Sequence, residues 1–521
     1  MARIEAPKNG VKIRMYRQGH GDCFLLTMRQ ANGEPFYLLI DCGFKPGSEI
    51  KEPIEAVIAD IREATGAHLH VLMVTHEHQD HVNMFLAKLD GKLLFDAFKV
   101  DTLWFGWTAD RKDKLASEIR EAHKKAVHNL MEARSRLALS LDEAGLAEEI
   151  DDLLAFEGFG AAEAAARNDA SAVNSKATIS SKSVAAAMEY VFARVKKIGE
   201  RKYFRPHEEP HEIPDVPRVR VYALGPPRSR PDLNLDEPTG EESTERLYQK
   251  PGHGLSFSFG GALDGLFGAA GLGGASAADP FRPFAGNKEL TRDAASWAAS
   301  ASFFDYFYPE DPQTAPQDDW RRVDMDWLFA AEWFARKINV EVNNSSAVIA
   351  IELGQTGKVL LFPGDAQYGN WISWTDQPIP LGGGAEISVK ELLARTVFYK
   401  VGHHGSHNAT LKGQEDSNYA NLDWLGQGEF AGEFVAAIPA NEPWAYAQVT
   451  KRSPDGWQHP LKAIRHALDQ KAAGRVFQSD IDFGQMKRPR GSDAGDWNRF
   501  VKRARGSTGQ NLYFDYWVPD E

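Results

Sequence analysis

Residues 75–83 read THEHQDHVN, directly after the apolar run Val71, Leu72, Met73, Val74. That run reads as a buried strand, so three histidines and an aspartate begin where a strand ends. Imidazole and carboxylate suit zinc, and also manganese or iron, and a strand end holds such ligands with little freedom to lose. In an extended segment His76 and His78 point the same way, because side chains alternate with period two. Asp80 and His81 are adjacent and diverge. The HxHxDH spacing therefore predicts two metals side by side, one held by His76 and His78, the other by Asp80 and His81; the competing reading is a polar loop of solvated histidines.

The chain has 521 residues, enough for two to four units or for one elaborated domain with insertions. Its 60 basic and 73 acidic residues leave a net charge of -13. Such a balance argues against indiscriminate grip on long nucleic acid, which relies on Lys and Arg at phosphates. A local basic groove is still compatible with it. The two cysteines, Cys23 and Cys42, exclude a disulfide framework and suit a reducing compartment. The start, MARIEAPKNGVKIRM, lacks the apolar core of a signal peptide, and no run of about 18 apolar residues occurs. A soluble cytoplasmic protein is expected, with no membrane partner.

Outward from the histidine stretch, VKIRMYRQGHGDCFLLTM and PFYLLIDCG read as strands around a turn at Asn32 and Gly33, and EPIEAVIADIREATG as a helix closed by Gly66. An α/β fold is expected. Residues 1–110 make the first part of its main domain. Residues 111–325 read as an insertion, Ala-, Glu- and Lys-rich and helical to about Arg201, then Pro-, Gly- and Ser-rich from about 226 to 318, with a core-like strand near 219–225. The Gly-rich part reads as a mobile linker or as a lid over an active site, and the helical part as a surface for a protein partner. MDWLFAAEWFARKIN predicts an amphipathic helix at the start of the second part, 326–484. A basic tail, 485–521, follows.

Two more strand ends carry metal-binding residue types. KVLLFPGDAQYGNW ends in Gly364 and Asp365, and VFYKVGHHGSHNAT sets His403 and His404 just after a strand. THEHQDH, LLFPGDA and KVGHHGS, in that order, resemble the metallo-β-lactamase superfamily. With QGHGDCFLL, LLIDCG, VNNSSAVIAIE, HPLKAIRHAL and GRVFQSD, the chain is similar to the branch that contains the β-lactamase-like domain of DNA-uptake competence proteins. The resemblance covers about 1–105 and 330–484. It implies an αββα sandwich with the large insertion outside it, and two divalent ions, Zn or Mn. His76 and His78 would ligate the first ion, Asp80 and His81 the second, with Asp365 bridging and His403 or His404 as the last ligand. Asp41 resembles the family's supporting aspartate. Where many members carry another histidine this chain reads VNNSS; Asn343, Asn344, a water or His253 from the insertion is the expected substitute. Of the two adjacent histidines His404 is favoured, because Gly405 permits the tight turn that aims its ring inward and alternation sends its neighbour to the other side.

The activity expected from these parts is hydrolysis by a metal-bound hydroxide, with no serine or cysteine nucleophile. Asp80 is assigned to the catalytic metal and His407 to a substrate contact or proton donor, against a plain loop histidine. His20 and Asp22 are candidates to stand near the site; the plainer reading of Asp22 is a structural carboxylate that bonds the amides of its turn. A phosphodiester, possible nucleic acid included, is the leading substrate class; residues 487–505 carry seven Lys or Arg against two Asp, with Trp497 and Phe500 interleaved as base-stacking candidates. A solvated tail is the plainer reading of that stretch. The alternatives for the protein are hydrolysis of a small ester, lactone, thioester or lactam, and a non-catalytic metal-binding scaffold.

Overall fold

In the computed structural model the apolar runs become an eight-stranded and a seven-stranded sheet. Along the chain come β1 (Val11–Tyr16), β2 (Phe24–Arg29), β3 (Pro35–Ile40), β4 (His68–Met73), β5 (Lys99–Gly106) and β6 (Arg201–Phe204), all in the first sheet. The second sheet takes β7 (His211–Glu212), β8 (Val219–Gly225), β9 (Val348–Leu353), β10 (Val359–Phe362), β11 (Thr396–Lys400), β12 (Val435–Ile438) and β13 (Val476–Gln478). The chain then returns to the first sheet with β14 (Ala504–Gly506) and β15 (Tyr513–Val518), in the order β14-β15-β1-β2-β3-β4-β5-β6. The second sheet runs β7 to β13 in sequence order. The protein is mixed α/β, as expected.

Structure is described for residues 3–124, 178–179, 184–195, 200–238, 247, 339–375, 378–413, 419–449, 455–506 and 511–521. All fall in one of the two units into which the chain divides, 1–125 with 151–253 and 338–521. The other unit, 126–150 and 254–337, lies outside the described residues, as do His253, most of the helical insertion, most of the Gly-rich segment and nearly all of the helix expected at MDWLFAAEWFARKIN. Among the described residues no helix is long and apolar enough to cross a membrane.

Alternation explains the layers. Val11, Ile13 and Met15 of β1, Phe24, Leu26 and Met28 of β2, and Leu38 and Ile40 of β3 share one apolar cluster with Val221 and Ala223 of β8, Ile349 and Ile351 of β9, and Leu360 and Phe362 of β10. One face of each sheet thus packs on the other. The intervening residues, Leu25, Tyr37 and Leu39, meet Val57, Ile58 and Ile61 of helix α1 (Ile54–Thr65) on the outer side of the first sheet. A single turn, α2 (Gln79–Val82), follows β4, and α3 (Val184–Ala193) adds Ala187, Met188 and Val191 to the same outer cluster. Outside the second sheet, Leu392 and Leu393 of α4 (Val389–Ala394) and Ile464 and Leu468 of a later helix pack on Leu361, Tyr399 and Ala436. Burial on both faces explains why β3 is apolar throughout and β9 apolar except for Glu352.

Residues 485–521 do not form a separate tail. Helix Ala494–Arg503 sends Phe500 into the core between the sheets with Trp497 against it, and β15 pairs antiparallel with β1 along Val11–Tyr16. Arg14 fastens this closure: its guanidinium meets Asp515 through Nε at 2.7 Å and Asp60 of α1 through Nη1 at 2.7 Å. Of the aromatics read as base-stacking candidates, Phe500 is a core residue and Trp497 packs, partly buried, against the core from the same inner face of the helix. Its basic face is engaged in part, Arg503 with Glu433 at 2.6 Å and Arg499 with Asp496.

At the start of β4 a histidine links pH to stability. The Tyr37 amide donates to Nδ1 of His70 at 3.1 Å, and the ring stacks on Phe36 at 4.7 Å. Burial first, and neighbouring His68 second, lower His70 to about 4. The folded state therefore favours neutral His70, so this contribution is complete above the unfolded value of about 6.5 and is lost as pH falls through about 4. His70→Asn, whose side-chain oxygen can accept from the same amide, is expected to flatten the fall of folding free energy between those two pH values. Urea titrations of both proteins across that window check it; parallel curves would contradict it.

Candidate metal centre

The site forms where parallel strands end together. β3, β4 and β5 run parallel in one sheet, β10, β11 and β12 in the other, and the segments after β3, β4, β10 and β11 carry Asp41, the histidine stretch, Asp365, and the pair His403 and His404. Asp41 adopts φ 55, an uncommon conformation for a residue with a side chain. It is held there by its carboxylate, which accepts from the Thr75 amide at 2.8 Å and the Thr75 hydroxyl at 2.6 Å. The same carboxylate meets Nδ1 of His81 at 2.8 Å. A proton on Nδ1 leaves Nε2 of His81 to face the site, the orientation that outer partners impose on metal-binding histidines.

His404 is set the same way. The Pro439 carbonyl lies 3.0 Å from its Nδ1, and its Nε2 faces Asp80 at 3.1 Å and Asp365 at 3.3 Å. His81 Nε2 is 3.1 Å from the same Asp365 Oδ2. Asp22, His81, Asp365 and His404, all buried, bring one donor atom each to within 4.8 Å of one another, a group that could hold a metal ion. His76 adjoins it, with Nε2 3.1 Å from Nδ1 of His78 and 3.9 Å from Asp365. His403 Nε2 lies 4.0 Å from Asp365, while Nδ1 is 3.1 Å from the Gln367 amide nitrogen.

Alternation does not separate His403 from His404, because neither continues the strand. Both have positive φ, 40 and 53, and Gly405 follows at φ 87. A Cβ on Gly405 would stand 2.6 Å from Pro460 Cβ. Both rings therefore turn towards Asp365, and His404 enters the tighter group.

No family model, curated protein or solved structure matches the chain. The chemistry of the donors remains. Asp365 Oδ2, His81 Nε2 and Asp22 Oδ1 are buried with no aligned hydrogen bond. Buried polar atoms left so are disfavoured by about 1–3 kcal/mol each, and their convergence fits a bound cation. The electrostatics agree. Against burial, which pushes a carboxyl up, His81, His404 and Lys400 hold Asp365 well below the usual carboxylate range. Asp80 is held down likewise, chiefly by Lys45 and His404. Against burial, which lowers an imidazole, Asp365 lifts His81 well up and His404 to about 9. Burial takes His403 down to about 3 and His76 well below its ordinary value.

Asp22 does not bond the amides of its turn through its side chain. Its Oδ2 lies 2.6 Å from Nζ of Lys400, which also donates to the Gly364 carbonyl at 2.6 Å and Asp365 Oδ1 at 3.1 Å. The QGHGDC loop reaches the site because it lies flat on the histidine segment: the Asp22 amide donates to the Asp80 carbonyl, and a Cβ on Gly21 would come within 2.6 Å of the Asp80 carbonyl oxygen. Lys400 and Lys45, the latter 3.3 Å from Asp80 Oδ1, were not anticipated. A lysine ending the otherwise apolar VFYK, buried throughout, was the available signal for Lys400.

Other expected residues divide. His407 Nε2 pairs with Glu237 at 2.6 Å. Asn344 is occupied, donating to the Leu233 and Leu235 carbonyls and accepting from the Gln367 and Asn370 amides, which excludes it as a stand-in ligand. Asn343 is fully buried with neither side-chain amide atom hydrogen bonded. A separate group, His68, His70 and Asp101, also has ligand-type atoms close together. It suits a cation poorly: Lys99 Nζ sits 2.7 Å from Asp101, and both ring nitrogens of His70 already face amide nitrogens, that of Tyr37 at Nδ1 and that of Gln30 at Nε2.

Proposed function

We propose that the chain is a divalent-metal-dependent hydrolase of phosphodiesters, a metallo-β-lactamase-type αββα sandwich binding two ions, Zn or Mn, and working in the cytoplasm. The observation that carries this reading is the buried convergence of Asp22, His81, Asp365 and His404, with His76, His78, Asp80 and His403 around it. The two packed sheets with helices outside each are compatible with that fold. The free, buried Cys23 and Cys42, with sulfurs 3.7 Å apart, suit a reducing compartment.

When bound, such ions acidify water and neutralise charge on a phosphoryl or carbonyl oxygen. The protein's own residues hold and balance them. His81 and His404 present Nε2 because Asp41 and the Pro439 carbonyl anchor Nδ1. Asp365 and Asp80 supply carboxylates kept ionised, and Lys400 ties Asp365 to Asp22. His407, oriented by Glu237, is the proton donor to the leaving oxygen. The basic C-terminal helix lends little to a nucleic-acid substrate, since Trp497 and Phe500 are turned inward.

The test is a substrate panel with protein reconstituted in Zn or Mn: bis(p-nitrophenyl) phosphate, a phosphomonoester, short single-stranded DNA, a lactone and a β-lactam. Phosphodiester turnover is expected, falling at least about 100-fold in Asp80→Asn with the fold unchanged, since loss of a ligand should exceed the about 10–100-fold typical of its outer partners. Lactone turnover without phosphodiester turnover would favour the small-ester reading. Bound metal without any turnover would favour the scaffold.

A further inference from the structure

Beside the metal centre stands an aromatic wall that no step above uses. The His20 ring, 1% exposed, has its centroid 4.4 Å from His404, 5.3 Å from Trp444 and 5.5 Å from His459, the last at an interplanar angle of 14°. His459 is in turn 5.2 Å from His403. Trp444 and Trp457 meet edge to face at 5.1 Å, and both are half-buried, as is His459. The wall runs without a break from the ligand histidines to partly exposed indoles.

Its construction is rigid. Trp444 sits in the first turn of helix Glu442–Ala447, where the Asn441 side chain accepts from its amide at 3.2 Å and donates to the Ser48 carbonyl at 2.8 Å. The Trp457 amide donates to the Ala445 carbonyl at 3.0 Å. Indoles are well buried on average though seldom completely, and two of them fixed edge to face, each half-exposed beside a polar centre, present the kind of aromatic surface that lines ligand sites. Trp444 also carries its Nε1–H buried without an acceptor among the described residues, although a buried indole N–H ordinarily finds one. A ligand with a flat ring and an acceptor at its edge would answer both features.

We propose that Trp444, Trp457 and His459 form a subsite for a planar aromatic ring, bonded to the group that reaches the metal centre, with the Trp444 N–H donating to an acceptor on that ring. The ring is a nucleobase or an aryl group, held by stacking and edge contact. This rests on the hydrolase reading above and names its substrate class: a phosphate ester bearing an aromatic ring, in place of an alkyl one. His20 alone stands between Trp444 and His404, and His459 touches His403, so a ring held there would be positioned together with the group that reaches the centre.

The experiment measures binding, not turnover, so that it can fail separately from the hydrolase assignment. Metal-reconstituted full-length protein is titrated calorimetrically with adenosine 5′-monophosphate against ribose 5-phosphate, and with phenyl phosphate against methyl phosphate. The ring-bearing member of at least one pair should bind more tightly by roughly 5- to 150-fold, the range of a stacked base. Preference in the first pair alone identifies a nucleobase, and in both an aryl ring in general. Trp444→Ala should bring the ratio close to one while leaving metal content and the affinity of the ring-free partner unchanged; Trp444→Phe, which keeps a ring and loses the N–H, should keep only part of it. Equal binding within both pairs by the wild-type protein, or an unchanged ratio in Trp444→Ala, would overturn the proposal.

Discussion

Replacement of Asp365 by Ala is expected to remove most metal binding while the protein stays folded. Three contacts meet at this carboxylate, His81 Nε2 at 3.1 Å, His404 Nε2 at 3.3 Å and Lys400 at 3.1 Å. The first two are ring nitrogens that a cation would share with Asp365. Outer partners of a metal already carry about 10–100-fold in affinity, so loss of this central carboxylate should lower affinity by at least about 100-fold and take hydrolysis with it. The strand before it ends in Phe362 and packs independently of the carboxylate, so thermal unfolding should remain cooperative. Calorimetric titration with Zn or Mn, with a circular-dichroism melt as control, reads both. Wild-type affinity in a folded variant would remove Asp365 from the site.

Lys400→Met should have the largest effect on stability. The ammonium is 1% exposed and lies between Asp22 Oδ2, at 2.6 Å, and Asp365 Oδ1, with the Gly364 carbonyl as a third partner. Those acidic partners outweigh the burial that would lower it, so Lys400 is raised and stays cationic. Removing one member of a buried pair strands the other charge, typically about 3–5 kcal/mol. Here two carboxylates are left, and protonating Asp22, already pushed up by burial, is the nearest relief. A divalent ion would supply part of the missing positive charge. The variant's loss in urea unfolding should therefore be smaller in the metal-loaded than in the metal-free protein. A loss under about 1 kcal/mol in the metal-free protein would mean that the pair is solvated.

The strand-end clusters were legible because each joins an apolar run to a chemically distinctive residue, and three such ends meet wherever parallel strands share an edge. Asp22 was misread because its neighbours suggested a turn; what brings it to the site is the close approach of two loops far apart in sequence, with Gly21 against the Asp80 carbonyl. Lys400 and Lys45 escaped because a lysine carries no local pattern, and their roles arise only from carboxylates supplied by other segments. The order of His403 and His404 could not follow from alternation once both took left-handed φ. Residues 485–521 looked like a tail through their charge, although the period-two pattern of YFDYWV, with Phe514, Tyr516 and Val518 buried, was the stronger signal.

Whether these buried donors form a metal centre is read from the wild-type protein's metal content and coordination after reconstitution, by elemental analysis with X-ray absorption at the metal edge. Up to two ions per chain are expected, in an environment of nitrogen and oxygen donors without sulfur, lost in Asp365→Ala. A protein that takes up no stoichiometric metal, or one whose absorption spectrum requires a Cys23 or Cys42 thiolate, would contradict that expectation.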